Sequence, residues 1–257
     1  LIINIFYNDG IFDGIIKLLR TYNISIWSWL EQIYENSKKE EFSDFENLLN
    51  DFLAESENEL WKSLADLELF CTDPKNIKKF IEGKLGSNLI FKYKSRSLTT
   101  DLKNAADIAK KSTLHILKTK KIPEKDINIF IDDLIKYKLC EVENLFDIEN
   151  NKTENFYYDI SLFLSSSSTS KKFKTIKDFK FIKMNEITFS LSEEQQNQLQ
   201  SYNELFGNNI EGISRTLSRV YVKKLFRIPV TLGDDLKLMG DFQENNSRRW
   251  GGGLESI

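Results

Sequence analysis

Through the first half of the chain, apolar residues return every three or four positions, the spacing of one face of an α-helix. After the Asn8-Asp9-Gly10 turn, Phe12, Ile15, Ile16, Leu18 and Leu19 mark a first helix. Ile26, Trp27, Trp29, Leu30, Ile33 and Tyr34 mark a second. Ser43 to Glu46 has the form of a capping box, in which the serine oxygen takes the N3 amide and the glutamate reaches back. It opens a stripe of Phe45, Leu48, Leu49, Phe52 and Leu53, which Leu60, Leu64, Leu67 and Cys71 continue. Asp73-Pro74 starts a short helix, since proline is pre-set for the first turn. Ile77, Phe80 and Ile81 are expected to face inward, and Gly83 to end it.

The second half alternates in character. Ser87 to Tyr93 reads as a short strand, and Asp101 to Lys111 as a helix through Leu102, Ala105, Ala106 and Ala109. Pro123 begins a stronger helix bearing Ile127, Phe130, Ile131, Leu134 and Ile135. Asn150 to Asn155 reads as a polar loop, and Tyr157 to Leu164 is apolar without a deciding period. The serine-rich run Ser165 to Lys172 reads as a flexible loop. Phe179 to Leu191 alternates apolar and polar residues, as a strand or hairpin does. Ser192 caps a helix reaching Phe206, and a last helix runs from Ile210 to Phe226 before Pro229. The fold class is therefore mainly α with a minor β component (α+β). A helical domain spans 1–232, with one or two short strands or a hairpin, and 233–257 reads as a disordered tail.

Composition narrows the setting. The 257 residues are 40% hydrophobic and 29% charged with a net charge of -3, which fits a globular chain without overall polyanion affinity. No run approaches the roughly 20 apolar residues of a membrane helix, and no basic-then-apolar leader opens the chain. Cys71 and Cys140 are the only cysteines, as suits a reducing compartment. The expected location is the cytoplasm. Leu1 is not an initiator methionine and Ile2, Ile3, Ile5 and Phe6 open in mid-pattern, so the chain reads as a fragment lacking its upstream part. On that reading Ile2 to Phe12 forms an exposed apolar orphan. Lys, Asn and Ile are heavily used, as in an AT-rich genome.

Candidate chemistry is sparse. Two cysteines 69 positions apart and one histidine cannot supply the close-set ligands of a structural zinc or of a thiolate-held iron–sulfur cluster. Cys71 reads as a packed thiol. His115 has no nucleophile-elbow serine or cysteine with it, so it reads as a partly exposed polar residue. Asp132-Asp133, Glu193-Glu194 and Asp234-Asp235 are adjacent pairs, about 100° apart on a helix, and read as structural. Trp27, Trp29 and Trp61 read as core or interface. Gly251 to Gly253 lacks the surroundings of a phosphate loop. The most suggestive feature is Arg215, Arg219, Lys223 and Arg227, four residues apart and so on one helix stripe, with Ile213, Leu217, Val220 and Tyr221 on another face. Such a stripe fits a domain contact or an anion. With the helix before Gly207 it also has a helix–turn–helix outline over 192–227.

Several short motifs together resemble one family. Phe6-Tyr7-Asn8-Asp9-Gly10-Ile11-Phe12, Tyr158-Asp159-Ile160, Phe206-Gly207, Ile213-Ser214-Arg215 and Lys224-Leu225-Phe226-Arg227 look like the C-terminal region of cobalamin-binding radical SAM proteins of the anaerobic magnesium-protoporphyrin ester cyclase-like group. The likeness covers about residues 1–230. It implies an accessory domain that packs on a radical SAM barrel of the same parent chain and shapes its substrate cavity. The 4Fe-4S cluster, S-adenosylmethionine and cobalamin would belong to that parent chain; this segment holds no cofactor, metal or catalytic residue. Two alternatives stand beside it: a helix–turn–helix nucleic-acid-binding protein, ranked lower, and a helical scaffold or interaction protein.

Overall fold

The structure is a computed structural model that describes residues 1–206, apart from Asp9, 83–84, 87, 122–123, 148–149 and 167–175. The chain opens with a π-helical turn, Asn4–Asn8, followed by α1 (Asp13–Thr21), α2 (Ile26–Ser37), a 3-10 turn at Glu40–Phe42 and α3 (Ser43–Asn58). Two short helices follow, α4 (Leu64–Phe70) and α5 (Pro74–Ile81), then α6 (Leu89–Leu98), α7 (Leu102–Thr119) and α8 (Glu124–Phe146). Strand β1 (Lys152–Tyr158), α9 (Ile160–Ser165), a 3-10 turn at Ile176–Phe179, β2 (Lys180–Phe189) and α10 (Glu193–Phe206) complete the described order. The expected mainly α architecture with a small antiparallel β component is what the chain adopts.

The opening segment is not an orphan. Ile5, Phe6, Ile11 and Phe12 are buried, Ile2 is half-buried and only Ile3 faces outward. Phe6 stacks on Phe12 at 5.1 Å and meets Trp29 and Phe45 edge-on at 6.0 and 5.6 Å. Those aromatic contacts tie the opening turn to α2 and α3. Trp29 then donates its indole N–H to Thr113 Oγ1 (3.0 Å), and Asn36 Nδ2 donates to Ser112 Oγ (2.9 Å), joining α2 to α7. Gly14 permits a close approach on α1, because a Cβ there would lie 2.7 Å from a Leu134 methyl of α8.

A second centre lies around Phe130 of α8, edge-on to Tyr158 at 5.0 Å and to Phe163 at 4.9 Å. Lys17 of α1 reaches it. Its buried ammonium donates to the carbonyls of Phe163, Leu164 and Ser166 and to Ser166 Oγ, filling the acceptors left open at the end of α9. Burial lowers the Lys17 pKa to about 8. β1 and β2 pair antiparallel, Lys152 with Phe189 and Phe156 with Asn185, with a register break between Phe156 and Tyr158. Asp133 accepts the N–H groups of Tyr157 (2.6 Å) and Tyr158 (2.9 Å) at that break. Burial pushes its carboxyl pKa up, against those two bonds and the nearby Lys136.

Several expectations are corrected. The strand read at Ser87 to Tyr93 is the start of α6, because its buried positions continue through Lys94, Ser95 and Ser97, polar residues that hide the helical period. Buried Ser112 and Thr113 hide the second half of α7 in the same way, so that helix runs past Lys111. The loop read at Asn150 to Asn155 enters β1 at Lys152, its polar side chains lying on an exposed ribbon. Ser43 makes no capping box. The Glu40–Phe42 turn leads straight into α3, so Phe42 takes the cap position without a side-chain bond. The box forms instead at Ser192, where Gln195 N–H reaches Ser192 Oγ (3.3 Å) and Gln195 Oε1 accepts from Ser192 N–H (2.8 Å). The undecided stretch Tyr157 to Leu164 is both, strand to Tyr158 and helix from Ile160, with Asp159 capping through Leu162 N–H (2.8 Å). Leu60, Leu64, Ile77 and Ile81, expected inward, point outward. The serine-rich run beyond Ser166, the helix from Ile210 to Phe226 and the tail 233–257 lie outside the described residues.

Two substitutions test these ties. Lys17→Met removes a donor from three carbonyls, of which that of Phe163 keeps the Ser166 hydroxyl (2.7 Å), and the expected loss is about 2 kcal/mol in urea unfolding. Asp133→Ala strands the buried Tyr158 N–H and the half-buried Tyr157 N–H and is expected to cost about 3 kcal/mol, with Asp133→Asn recovering part of it. A loss under about 0.5 kcal/mol at either site would contradict its role.

Candidate functional site

The features marked in the sequence do not converge. Among the described residues, no group of three or more His, Cys, Asp and Glu side chains is placed to hold a metal ion. Cys71 is half-buried at the end of α4, whereas Cys140 is buried in α8, where burial pushes its thiol pKa up. Asp132 and Asp133 diverge as adjacent helix residues must: Asp132 pairs with Lys110 outside, and Asp133 turns in toward β1. Of the tryptophans, Trp29 is core, Trp61 half-buried and Trp27 exposed. Tyr158-Asp159-Ile160 does structural work, two buried side chains flanking a helix cap. Arg215, Arg219, Lys223 and Arg227 lie outside the described residues, as does the second half of the helix–turn–helix outline.

His115 is exposed on α7 and borders an open groove of about 280 Å³ between the ends of α2, α7 and α8. Lys39, Lys111, Lys118 and Asn128 also line it. Its cations are partly satisfied, since Lys111 pairs with Glu41 and Lys39 donates to Asn36 Oδ1. Asn128 Oδ1 is a buried acceptor without a hydrogen-bond partner among the described residues. The groove is open, Leu114, Leu117 and Ile127 give it an apolar floor beside those polar groups, and its side chains form no nucleophile–base pair.

The most unusual surface is the arm formed by α4 and α5. Neither helix buries a single side chain. Leu60 is 76% exposed, Leu64 70%, Leu69 71%, Ile77 43% and Ile81 80%, with Leu53 of α3 54% exposed beside them in sequence. Single exposed leucines are ordinary, but this density in one short segment singles the arm out as the candidate site. Ile77 and Ile81 stand four apart and share one stripe of α5.

The arm is nevertheless built. Ser63 caps α4 by accepting Asp66 N–H (3.2 Å), and Asp73 caps α5 by accepting Lys75 N–H (2.9 Å), with Pro74 in the first turn as expected. Asn76 donates to the Phe70 carbonyl (3.0 Å), closing the end of α4 from α5. Trp61, Phe70 and Phe80 form a ring cluster with centroids 5.3 to 6.4 Å apart. Gly86, at φ +73°, lies against Phe80, where a Cβ would approach the ring to 3.0 Å. The aromatic cluster thus holds the arm together from within and leaves its aliphatic side chains outside.

Charge surrounds that apolar surface. Up to α4 the flank is acidic, since between positions 53 and 69 five acidic residues, Glu55, Glu57, Glu59, Asp66 and Glu68, stand against Lys62 alone, whereas α5 carries Lys75, Lys78 and Lys79, with Lys78 paired to Glu82 at 3.5 Å. Glu55 is already paired, to Lys92 of α6 at 2.6 Å. Glu57, Asp66 and Glu68 are exposed. An amphipathic reading of the sequence turns the stripe inward by default, and the arm's short helices, seven and eight residues, were the sign that it need not.

No known family model, curated protein or solved structure matches the chain.

The two thiols report on arm and core separately. The thiolate is the reactive species, so the buried Cys140 is expected to resist a disulfide reagent until the chain unfolds. Cys71 is expected to react at least about a hundredfold faster under native conditions, as local opening requires less free energy than global unfolding. Equal rates would place the arm inside the cooperative core.

Proposed function

We propose that this chain is a helical docking module without a catalytic centre, and that its arm, α4–α5, binds a partner presenting a basic amphipathic helix. The observation that carries the reading is the row of outward leucines and isoleucines on two capped helices that bury nothing. An apolar stripe on the partner would cover Leu60, Leu64, Ile77 and Ile81, and its cations would face Glu57, Asp66 and Glu68. The apolar contact supplies affinity; the acidic surround supplies choice of partner and a salt-dependent on-rate.

The accessory-domain reading is the wider form of this proposal. In it the partner body is a radical SAM barrel, and the 4Fe-4S cluster, S-adenosylmethionine and cobalamin are that body's. The contact it would use is the arm rather than Ile2 to Phe12, whose larger side chains are spent on the chain's own core. No helix among the described residues is long and apolar enough to cross a membrane. The cytoplasm is the setting this reading takes, in keeping with two cysteines that are free.

The test titrates the full chain with an 18-residue peptide of leucine and lysine at amphipathic helical spacing and reads amide shifts by NMR. Shifts are expected within residues 53–82. Leu64→Glu with Ile81→Glu is expected to weaken binding at least tenfold, about 1.4 kcal/mol. Both positions are exposed, so the melting temperature should barely move. Shifts centred elsewhere, or equal affinity for a leucine–glutamate peptide, would overturn the proposal.

A further inference from the structure

The arm carries both signs of charge, divided between its two helices. α4 contains Asp66 and Glu68 and no cation, whereas α5 contains Lys75, Lys78 and Lys79 and no acid. On α4, Glu68 stands four positions after Leu64 and so shares its side of the helix, with Leu69 about 100° farther round. These three are exposed, while Leu67 and Phe70 on the opposite side are half-buried. On α5, Ile77 and Ile81 form the outward stripe and Lys78 lies within about 100° of both, with Lys75 and Lys79 farther round. The Lys78 side chain is 74% exposed, and its surface pair with Glu82 at 3.5 Å leaves the ammonium with further N–H groups to donate. Each helix thus presents an apolar side edged by charge, acidic on α4 and basic on α5.

We propose that the partner of the arm is the arm of a second copy of this chain, with α4 of each copy lying on α5 of the other and Glu68 facing Lys78 across the contact. The proposal rests on the docking reading above and names its partner, since α5 is itself a basic amphipathic helix, the chemistry that reading calls for. One twofold rotation places α4 on α5 of the second copy and α5 on its α4. Both halves are then matched at once, and each charge contact is made twice. The other pairing, α4 on α4 and α5 on α5, brings Asp66 and Glu68 against their own kind and the lysines against theirs, and is selected against. In the crossed arrangement Leu64 and Leu69 meet Ile77 and Ile81, so aliphatic side chains that nothing buries among the described residues are covered on both copies. Helices of seven and eight residues form a contact at the small end of specific interfaces, under about 1,200 Å² in total, so the dimer is transient.

The experiment is sedimentation of the full chain at concentrations from about 5 to about 500 µM, because self-association follows mass action. The expected result is a monomer–dimer equilibrium that Leu64→Glu with Ile81→Glu weakens at least about tenfold. Glu68→Lys alone and Lys78→Glu alone each set like charges together in both copies of the contact, and each is expected to weaken the dimer at least about threefold. The double variant, Glu68→Lys with Lys78→Glu, returns opposite signs to the contact and is expected to dimerise within about twofold of the parent chain, as is an equal mixture of the two single variants. That recovery separates a charge contact from a loss of folding, since a misfolded arm would not regain the dimer. A dimer unmoved by Leu64→Glu with Ile81→Glu or by either single charge variant, or one that the double variant fails to restore, would overturn the crossed contact. A chain that stays monomeric while the leucine–lysine peptide still binds the arm would give the arm to a different protein and leave the docking reading standing. If the chain is monomeric and the peptide does not bind, both fail.

Discussion

Phe6 is the point on which the first half of the molecule closes. Its ring touches Phe12, Trp29 and Phe45, so the opening turn, the start of α1, α2 and α3 share one buried aromatic contact. Trp29 passes that order on to α7 through Thr113, and α7 packs against α8. α8 carries Phe130, the matching centre for β1 and α9, and Lys17 closes the circuit from α1 to the end of α9. Removing the opening residues would therefore take away a core side chain rather than trim a loose end. Large-to-small changes at such sites typically cost 3–5 kcal/mol.

The arm stands outside that circuit. A helix of seven or eight residues gains little from its own hydrogen bonds and holds its shape only through packing or caps. Here the packing is internal, among Trp61, Phe70 and Phe80, and the caps are Ser63 and Asp73. Its aliphatic residues do not pay for themselves in the described fold. Leucines and isoleucines this exposed contribute nothing to folding and raise the risk of association, and the proposed partner would cover them. The acidic flank would then set which partner that is, by repelling acidic surfaces.

Much of the architecture was legible in the apolar period. Phe45 and Leu48, Ala105 and Ala109, and Phe130 and Leu134 are all buried where helical spacing puts them. Strand β2 was legible from the alternation read over Phe179 to Leu191, although its partner β1 lies beyond α9 rather than across a hairpin. What the period could not carry was a buried face made of polar residues. Ser95 and Ser97 in α6 and Ser112 and Thr113 in α7 look like surface in a sequence and are core in the fold, where neighbouring groups satisfy the hydroxyls of Ser97, Ser112 and Thr113. The opposite failure hid the candidate site. Leu64 and Ile81 look like core in a sequence, and among the described residues nothing buries them. Lys17 and Asp133 were invisible for a third reason: each acts on backbone groups about 24 to 149 residues away, and no local pattern encodes a long-range cap.

The central claim is that the arm is a separate, marginally held surface on a cooperative core. Native-state hydrogen exchange of the full chain measures this directly. The account predicts that the amides of α4 and α5 exchange with opening free energies several kcal/mol below those of α7 and α8, which should approach global stability. Arm amides as protected as those of Ala109 and Ile131 would contradict it, and would make the outward leucines part of the core's own cooperative unit.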